Sequence, residues 1–255
     1  MIELQHISKS YNVGTPLQVD ALKDISIQLK TGSFNLVIGS NGSGKSTLLN
    51  ILAGAETPNS GAVLINSKDL SNQSVHQRAK LVARIFQNPV TGTAQDLTLL
   101  ENFRLASIRS RGKGLQLGIN QAFRKVVSSH ISILEMGLES RLDQKMSAFS
   151  GGQRQALSLL MATFDSLELL LLDEPTAALD PKSANLVFNL TQRIIREKKL
   201  TALMVTHDLN HCLKPVDRII QMNQGKIIRD IIPNTSAPLK LKDVYGWFEE
   251  KSIEY

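Results

Sequence analysis

Residues 34–54 read FNLVIGSNGSGKSTLLNILAG, and the fold turns on this stretch. FNLVI (34–38) is a β-like run of aliphatic and β-branched residues that ends at Gly39. STLLNILAG (46–54) is a helical run closed by Gly54. Between them Gly39-Ser40-Asn41-Gly42-Ser43-Gly44-Lys45-Ser46 matches G-x-x-x-x-G-K-[ST], directly after a strand and opening a helix. With AVLIN (62–66) as the next strand, the stretch is a βαβ unit. The chemistry follows from the geometry. Glycines let successive backbone N–H groups curl round a polyphosphate, and the helix N-terminus adds a favourable dipole. Lys45 reaches the β- and γ-phosphates, and the Ser46 hydroxyl is a ligand for Mg²⁺. Gly39 to Ser46 and the adjoining Thr47 are therefore the candidate nucleotide-phosphate site.

Working outward, IELQHI (2–7) and ISIQL (25–29) precede this unit as strands. Strand signals return at LLLL (169–172), TALMV (201–205), RIIQM (218–222) and KIIRD (226–230), the last two flanking a hairpin turn at Asn223-Gln224-Gly225. Residues 181–199 carry apolar or Thr side chains at 184, 187, 188, 191, 194 and 195, which is helical spacing, and Pro181 after Asp180 marks the start. From about Gln87 to Thr163 the pattern is helical, with LLENFRLASIR (99–109) and QAFRKVVSSHISILEM (121–136) separated by the basic RSRGKGLQLG (109–118). The expectation is an α/β body, residues 1–87 and 165–232, interrupted by a helical insert, 88–164. Residues 233–255 form a tail with one possible helix that ends in YGWFEEKSIEY.

Composition narrows the field. Of 255 residues, 42% are hydrophobic and 20% charged, which excludes disordered and fibrous classes. No run approaches the roughly 20 apolar residues that span a bilayer; the densest, Leu169 to Leu172, stops at Asp173. The opening MIELQHISKSY has charges where a secretory signal needs an apolar run, so a cytosolic setting is expected. The single cysteine, Cys212, excludes an internal disulfide and a cysteine-built zinc module. A net charge of +6 permits phosphate, nucleic-acid or lipid partners and selects none.

LLLLDE (169–174) is a hydrophobic strand ending in two carboxylates. Beside a P-loop, Asp173 suits Mg²⁺, directly or through water, and Glu174 suits a general base that polarises the attacking water. Farther upstream lies Phe149-Ser150-Gly151-Gly152-Gln153-Arg154-Gln155, where Ser150 and Gln153 fit a capping box and ALSLLMA (156–162) continues as an apolar helix. Two glycines in a first turn weaken a helix yet leave bare amides for a phosphate.

In this order the motifs resemble the ATP-binding-cassette (ABC) ATPases over nearly the whole chain, with Ser150-Gly151-Gly152-Gln153 similar to that family's signature segment. The resemblance implies a P-loop NTPase (RecA-like) core, an antiparallel β subdomain and an inserted α-helical subdomain. It implies that Tyr11 stacks on adenine, that Gln87 in RIFQNP contacts Mg²⁺ and the attacking water, and that His207 in VTHD contacts the γ-phosphate and fixes base and water. Asp180 in AALD resembles the loop that crosses to the partner subunit, and it also suits a cap for the following helix. Two positions depart from the usual pattern, Phe149 and Ala177, and neither removes a catalytic group. A zinc helix through His207 and His211 is the rival for this segment; it requires Glu after the first histidine, where Asp208 stands.

The same resemblance implies a head-to-tail homodimer that sandwiches ATP and Mg²⁺ between one P-loop and the other subunit's signature helix. Residues 88–103 then lie where the helical subdomain docks integral-membrane permease subunits, and an extracytoplasmic substrate-binding protein is the expected third component. The expected location is the inner face of the cell membrane. TGTAQDLTLLENFRLASIRSRGKGL is faintly similar to ATPases of bacterial uptake systems, some for amino acids. A soluble ABC-type ATPase acting on DNA or ribosomes is the alternative, favoured by Arg109, Arg111 and Lys113 but lacking the second cassette, coiled coil or zinc modules of that class. A small-molecule P-loop kinase does not account for the signature segment.

Overall fold

The computed structural model describes residues 1–108, 118–233 and 239–249. The basic cluster at 109–113 and the end of the C-terminal tail lie outside the described residues.

Two sheets carry the chain. The smaller is antiparallel, in the order β2 (Val19–Leu29), β1 (Ile2–Tyr11), β4 (Ser60–Ile65), β5 (Lys68–Asp69). The larger has six strands in the order β10 (Lys226–Ile231), β9 (Arg218–Asn223), β3 (Phe34–Gly39), β8 (Thr201–Val205), β7 (Leu169–Asp173), β6 (Val82–Ile85). All neighbours in it are parallel except the β9–β10 hairpin. That hairpin turns at Gln224 and Gly225, with φ of 46° and 78°, the two left-handed residues a tight right-twisted turn requires.

Alternation along the central strands explains the layering. Phe34, Leu36 and Ile38 of β3 join one apolar core with Leu170, Leu172, Ala202 and Met204. Val37 joins a second core with Leu169, Leu171, Leu203 and Val205. Successive side chains of a strand point to opposite faces, so a continuous apolar run builds two cores at once. On one face lie α1 (Lys45–Ala53) and the small sheet, with Leu48, Leu49, Ile51 and Leu52 turned inward. On the other lie α5 (Gly151–Ala162), α6 (Pro181–Lys198) and the helical insert, α3 (Leu99–Ser107) and α4 (Gln121–Ile131). The arrangement is a P-loop α/β core with an antiparallel β subdomain and inserted helices, as expected.

Four local expectations change. Residues 88–98 form turns rather than helix, because Pro89 and Gly92 interrupt the pattern before Thr98 caps α3. The long helix over 121–136 stops at Ile131; a 3₁₀ turn, Ser132–Leu134, follows and Glu135 turns left-handed at φ 55°. Strand β6, only four residues long and at the sheet edge, and the short helix α2 (Val75–Arg78) were not apparent from periodicity. Finally α7 (Leu241–Glu249) is not a loose tail: Val244 and Trp247 are buried in the first core, and the Gln221 amide donates to the Trp247 carbonyl at 3.1 Å.

Register then sets the site. Ile85 of β6 pairs with Leu172, Asp173 of β7 with Val205, and Val205 of β8 with Val37. The residues just beyond these pairs therefore emerge together at the carboxyl edge: Gln87, Glu174, His207 and the Gly39 loop. The carboxyl edge of a parallel sheet is where α/β folds bind ligands.

Candidate active site

The loop between β3 and α1 is closed round its own lysine. The Lys45 ammonium donates to the carbonyls of Gly39 and Ser40, each at 2.8 Å, and to Ser43 Oγ at 3.3 Å. Lys45 is 5% exposed, and burial pushes its pKa down while the charges of Glu174 and Asp173 pull it back up. The glycines here are obligatory for space as well as conformation. Gly44 caps α1 at φ 100°, and a Cβ there meets the Ala21 carbonyl at 2.4 Å. A Cβ on Gly39, at φ 155°, meets the Met222 carbonyl at 2.2 Å. Ser46 and Thr47 occupy the first turn of α1.

Asp173 ends β7 and accepts a 2.6 Å hydrogen bond from Arg84 Nη2 on the neighbouring strand. Glu174 follows in a left-handed conformation, φ 47°, which costs a non-glycine residue about 1 kcal/mol and re-aims the side chain. Its Oε1 lies 2.7 Å from His207 Nε2. The Glu174 amide donates to the Val205 carbonyl at 3.0 Å, so the strained residue is anchored to β8. His207 sits in the loop after β8, whose shape is held by a residue noted above only as a zinc rival. The buried His211 ring shares a 2.8 Å hydrogen bond between Nδ1 and Thr206 Oγ1 and stacks on Phe188 at 4.3 Å. Thr206 Oγ1 in turn accepts from the Asp208 amide at 3.1 Å. The two histidines thus serve different partners.

Burial pushes the His211 imidazole down, with Lys214 adding to the effect and Asp208 opposing it; burial does the same at His130, with Lys198 adding to it. Both are held neutral in the fold, whereas an unfolded histidine titrates near about 6.5. The stability this contributes is full above about pH 6.5 and is lost as pH falls toward the depressed folded values. Urea unfolding is expected to show a lower midpoint at pH 5.5 than at pH 7.5, and His211→Gln is expected to lose less stability over that interval than the wild type. An equal loss in both would remove His211 from this account.

Tyr11, at the end of β1, donates its hydroxyl to Glu56, and the oxygen is 3.4 Å from Thr47 Oγ1. Burial and then the Glu56 carboxylate push its pKa up, so it stays a neutral phenol. Its ring therefore stands beside the first turn of α1. Gln87 is exposed two residues beyond β6, and Gln155 of α5 donates to the adjacent Phe86 carbonyl at 3.0 Å.

A second group of sequence candidates gathers elsewhere. Ser150 caps α5 by the full capping box: the Gln153 amide donates to Ser150 Oγ at 3.3 Å, and the Ser150 amide to Gln153 Oε1 at 3.0 Å. Gly152 has a packing reason that the sequence did not reveal, since a Cβ there lies 2.8 Å from the Ser183 side chain of α6. Gly151 faces Leu179. Asp180 caps α6, accepting from the Lys182 and Ser183 amides at 3.1 Å, and the Ser183 side chain, then these amides, hold its carboxyl below the usual range. Ser150, Gly151, Gly152 and Asp180 therefore form one face, at the start of α5 and α6.

The first group brings together a buried cation held by loop carbonyls, a strand-end carboxylate, and a carboxylate–imidazole pair able to move a proton. That chemistry suits transfer of a phosphoryl group to water. A sequence profile described as "ABC transporter" matches residues 22–177. A tyrosine transport ATP-binding protein of Clostridioides difficile (strain R20291) is 39% identical over 98% of this chain and 99% of its own length. A lipoprotein-releasing system ATP-binding protein of Rhodopseudomonas palustris is 35% identical over 89% of this chain and 98% of its own. Among solved structures, an ATP-binding cassette captured as a dimer in a post-hydrolysis state with ADP and Pi superposes with a TM-score of 0.76 at 29% identity, over 91% of this chain and 98% of that one.

Proposed function

This chain belongs to the ABC transporter family, and from that premise we propose that it powers import of a small solute, an amino acid or a close analogue, through separate permease subunits. As a member it is an ATP-binding subunit that hydrolyses ATP. The observation that carries the amino-acid reading is the end-to-end match with the tyrosine transport protein. A methionine import ATP-binding protein of Enterococcus faecalis, 33% identical over 90% of this chain and 64% of its own length, supports the same substrate class.

Within one subunit, Lys45 leaves its loop carbonyls to meet the β- and γ-phosphates, and the amides from Gly39 through Thr47 surround them. Tyr11 lies under the adenine. Glu174 accepts a proton from the attacking water; the new bond from that oxygen to the γ-phosphorus replaces the bond to the β–γ bridging oxygen, leaving ADP and phosphate. His207 holds the Glu174 carboxylate by their 2.7 Å contact and faces the γ-phosphate. Ser150, the Gly151 and Gly152 amides and Gln153 serve the nucleotide of a second copy, and Asp180 crosses to that copy. This role explains a glycine-opened helix whose neighbours are Leu179 and Ser183.

The residues present fit Mg²⁺. It would be held by the Ser46 hydroxyl, the Gln87 amide oxygen and a single carboxylate, Asp173, which Arg84 anchors. One carboxylate with neutral oxygens and substrate phosphates is the set this ion prefers. When bound, it neutralises charge on the transferring phosphoryl oxygens.

We place the division of labour at residues 88–164 as the signalling subdomain. Between it and β6 runs a groove of about 410 Å³ lined by Ala83, Phe86, Pro89, Leu105, Ala106 and Met161. Among the described residues no helix is long and apolar enough to cross a membrane. In this reading a permease docks in the groove and holds the chain at the inner face of the membrane, with an extracytoplasmic binding protein delivering solute. Leu105 is 52% exposed on α3. Co-expressed with the products of its neighbouring genes, the wild-type chain is expected in the membrane fraction, and Leu105→Glu is expected to lose at least about tenfold of that recruitment, since a carboxylate cannot be buried unpaired. Tight, salt-sensitive nucleic-acid binding with no membrane recruitment of the wild type would reverse this reading.

A further inference from the structure

Arg84 is the one strongly charged side chain of β6, and it faces α1 rather than solvent. Its neighbours Ala83 and Ile85 belong to the first core and Val82 to the second, so alternation places Arg84 on the second-core face. There its guanidinium makes a fork. Nη2 donates to Asp173 Oδ2 at 2.6 Å, and Nη1 to Asn50 Oδ1 of α1 at 2.7 Å. The ion pair is largely withdrawn from water, the two side chains being 16% and 19% exposed. The guanidinium carbon lies 5.0 Å from the centre of the Phe86 ring, which limits its movement. The bonds continue: Asn50 Nδ2 donates to Glu56 Oε1 at 2.8 Å, and the other Glu56 oxygen accepts from Tyr11. A hydrogen-bonded rail thus runs from the strand-end carboxylate through Asn50 and Glu56 to the Tyr11 hydroxyl.

We propose that Arg84 is a positioning residue of the metal–nucleotide site: it holds one oxygen of Asp173 so that the other is presented to the metal, and it locks that carboxylate to the helix that carries Lys45 and Ser46. This rests on the reading of Asp173 as the metal carboxylate. Two physical points favour it over a purely structural ion pair. A planar fork can hold a carboxylate oxygen and an amide oxygen at once, which an ammonium cannot do with fixed geometry. Arg84 also joins the three elements whose spacing the site depends on: β6, which leads in two residues to Gln87; β7, which ends in Asp173; and α1. Partners that orient a ligating carboxylate typically govern metal affinity by about ten- to a hundredfold.

The test is equilibrium binding of trinitrophenyl-ATP to the full chain, by fluorescence, in magnesium and in EDTA. For the wild type, magnesium is expected to tighten binding. For Arg84→Met, which keeps length and apolar bulk, that tightening is expected to shrink by about tenfold with affinity in EDTA unchanged. Arg84→Lys keeps the charge but not the fork, and is expected to recover part of it. A merely structural role would weaken both affinities together, and that result overturns the proposal, as does an Arg84→Met protein with the full magnesium effect. Should Arg84→Met fail to melt cooperatively, Arg84→Lys decides: a magnesium effect equal to the wild type's overturns it. A wild-type protein whose affinity ignores magnesium would instead overturn the reading of Asp173.

Discussion

Glu174→Gln is expected to abolish steady-state ATP hydrolysis, by about 10²- to 10⁴-fold, the span a positioned general base contributes, while leaving nucleotide affinity within a few-fold of the wild type. The substitution is nearly isosteric, so the 3.0 Å bond from the residue's amide to Val205 and its left-handed conformation carry over. The amide oxygen still accepts from His207, so the loop after β8 stays in place. What disappears is basicity: a carboxamide cannot take a proton from water. Phosphate release at saturating ATP, set beside calorimetric binding, separates the two effects. Full turnover by the variant would remove Glu174 from the proposed role and leave its pairing with His207 a structural one.

Lys45→Ala is expected to act on binding. The Lys45 ammonium lies within the loop's grip, saturated by Gly39, Ser40 and Ser43 oxygens. Hydrogen bonds to charged groups contribute about 1.5–3 kcal/mol, so losing the lysine is expected to weaken ATP binding by about ten- to a hundredfold. Removing it also takes from the buried Gly39 carbonyl the donor that the ammonium had supplied. Lys45→Arg is expected to fare little better, because a buried loop closed on an ammonium has no room for a planar fork. Isothermal titration checks both variants. Undiminished affinity in Lys45→Ala would move the phosphate site away from the β3–α1 loop.

Local sequence carried the parts of this molecule that are local in space. The glycine loop, the apolar runs of β3, β7 and β8, Pro181 at the start of α6 and the left-handed pair at Gln224–Gly225 each have a nearby physical cause, and each stands where it was expected. What was illegible depends on contacts between distant residues. Arg84 sits in VARIF like any surface arginine; its meaning comes from Asp173, 89 residues on, and Asn50, 34 residues back. His211 was visible only as half of a zinc pair, because its stacking on Phe188 crosses from α6 to the loop after β8. Gly152 was read as room for a phosphate, and the Ser183 side chain supplies a second reason for it. Val244 and Trp247 were assigned to a tail because no sequence period shows which core a lone terminal helix joins.

In the proposed mechanism the capped face of Ser150 and Asp180 serves a second copy of the chain, and this is the claim on which the catalytic account depends. Sedimentation equilibrium of Glu174→Gln with and without ATP and magnesium tests it most directly. The account expects the 28.1 kDa chain mass in EDTA and twice that mass with ATP and magnesium, the doubling being lost when Ser150→Arg is added. A Glu174→Gln protein that binds ATP and magnesium yet keeps the mass of one chain at every concentration would contradict the sandwich.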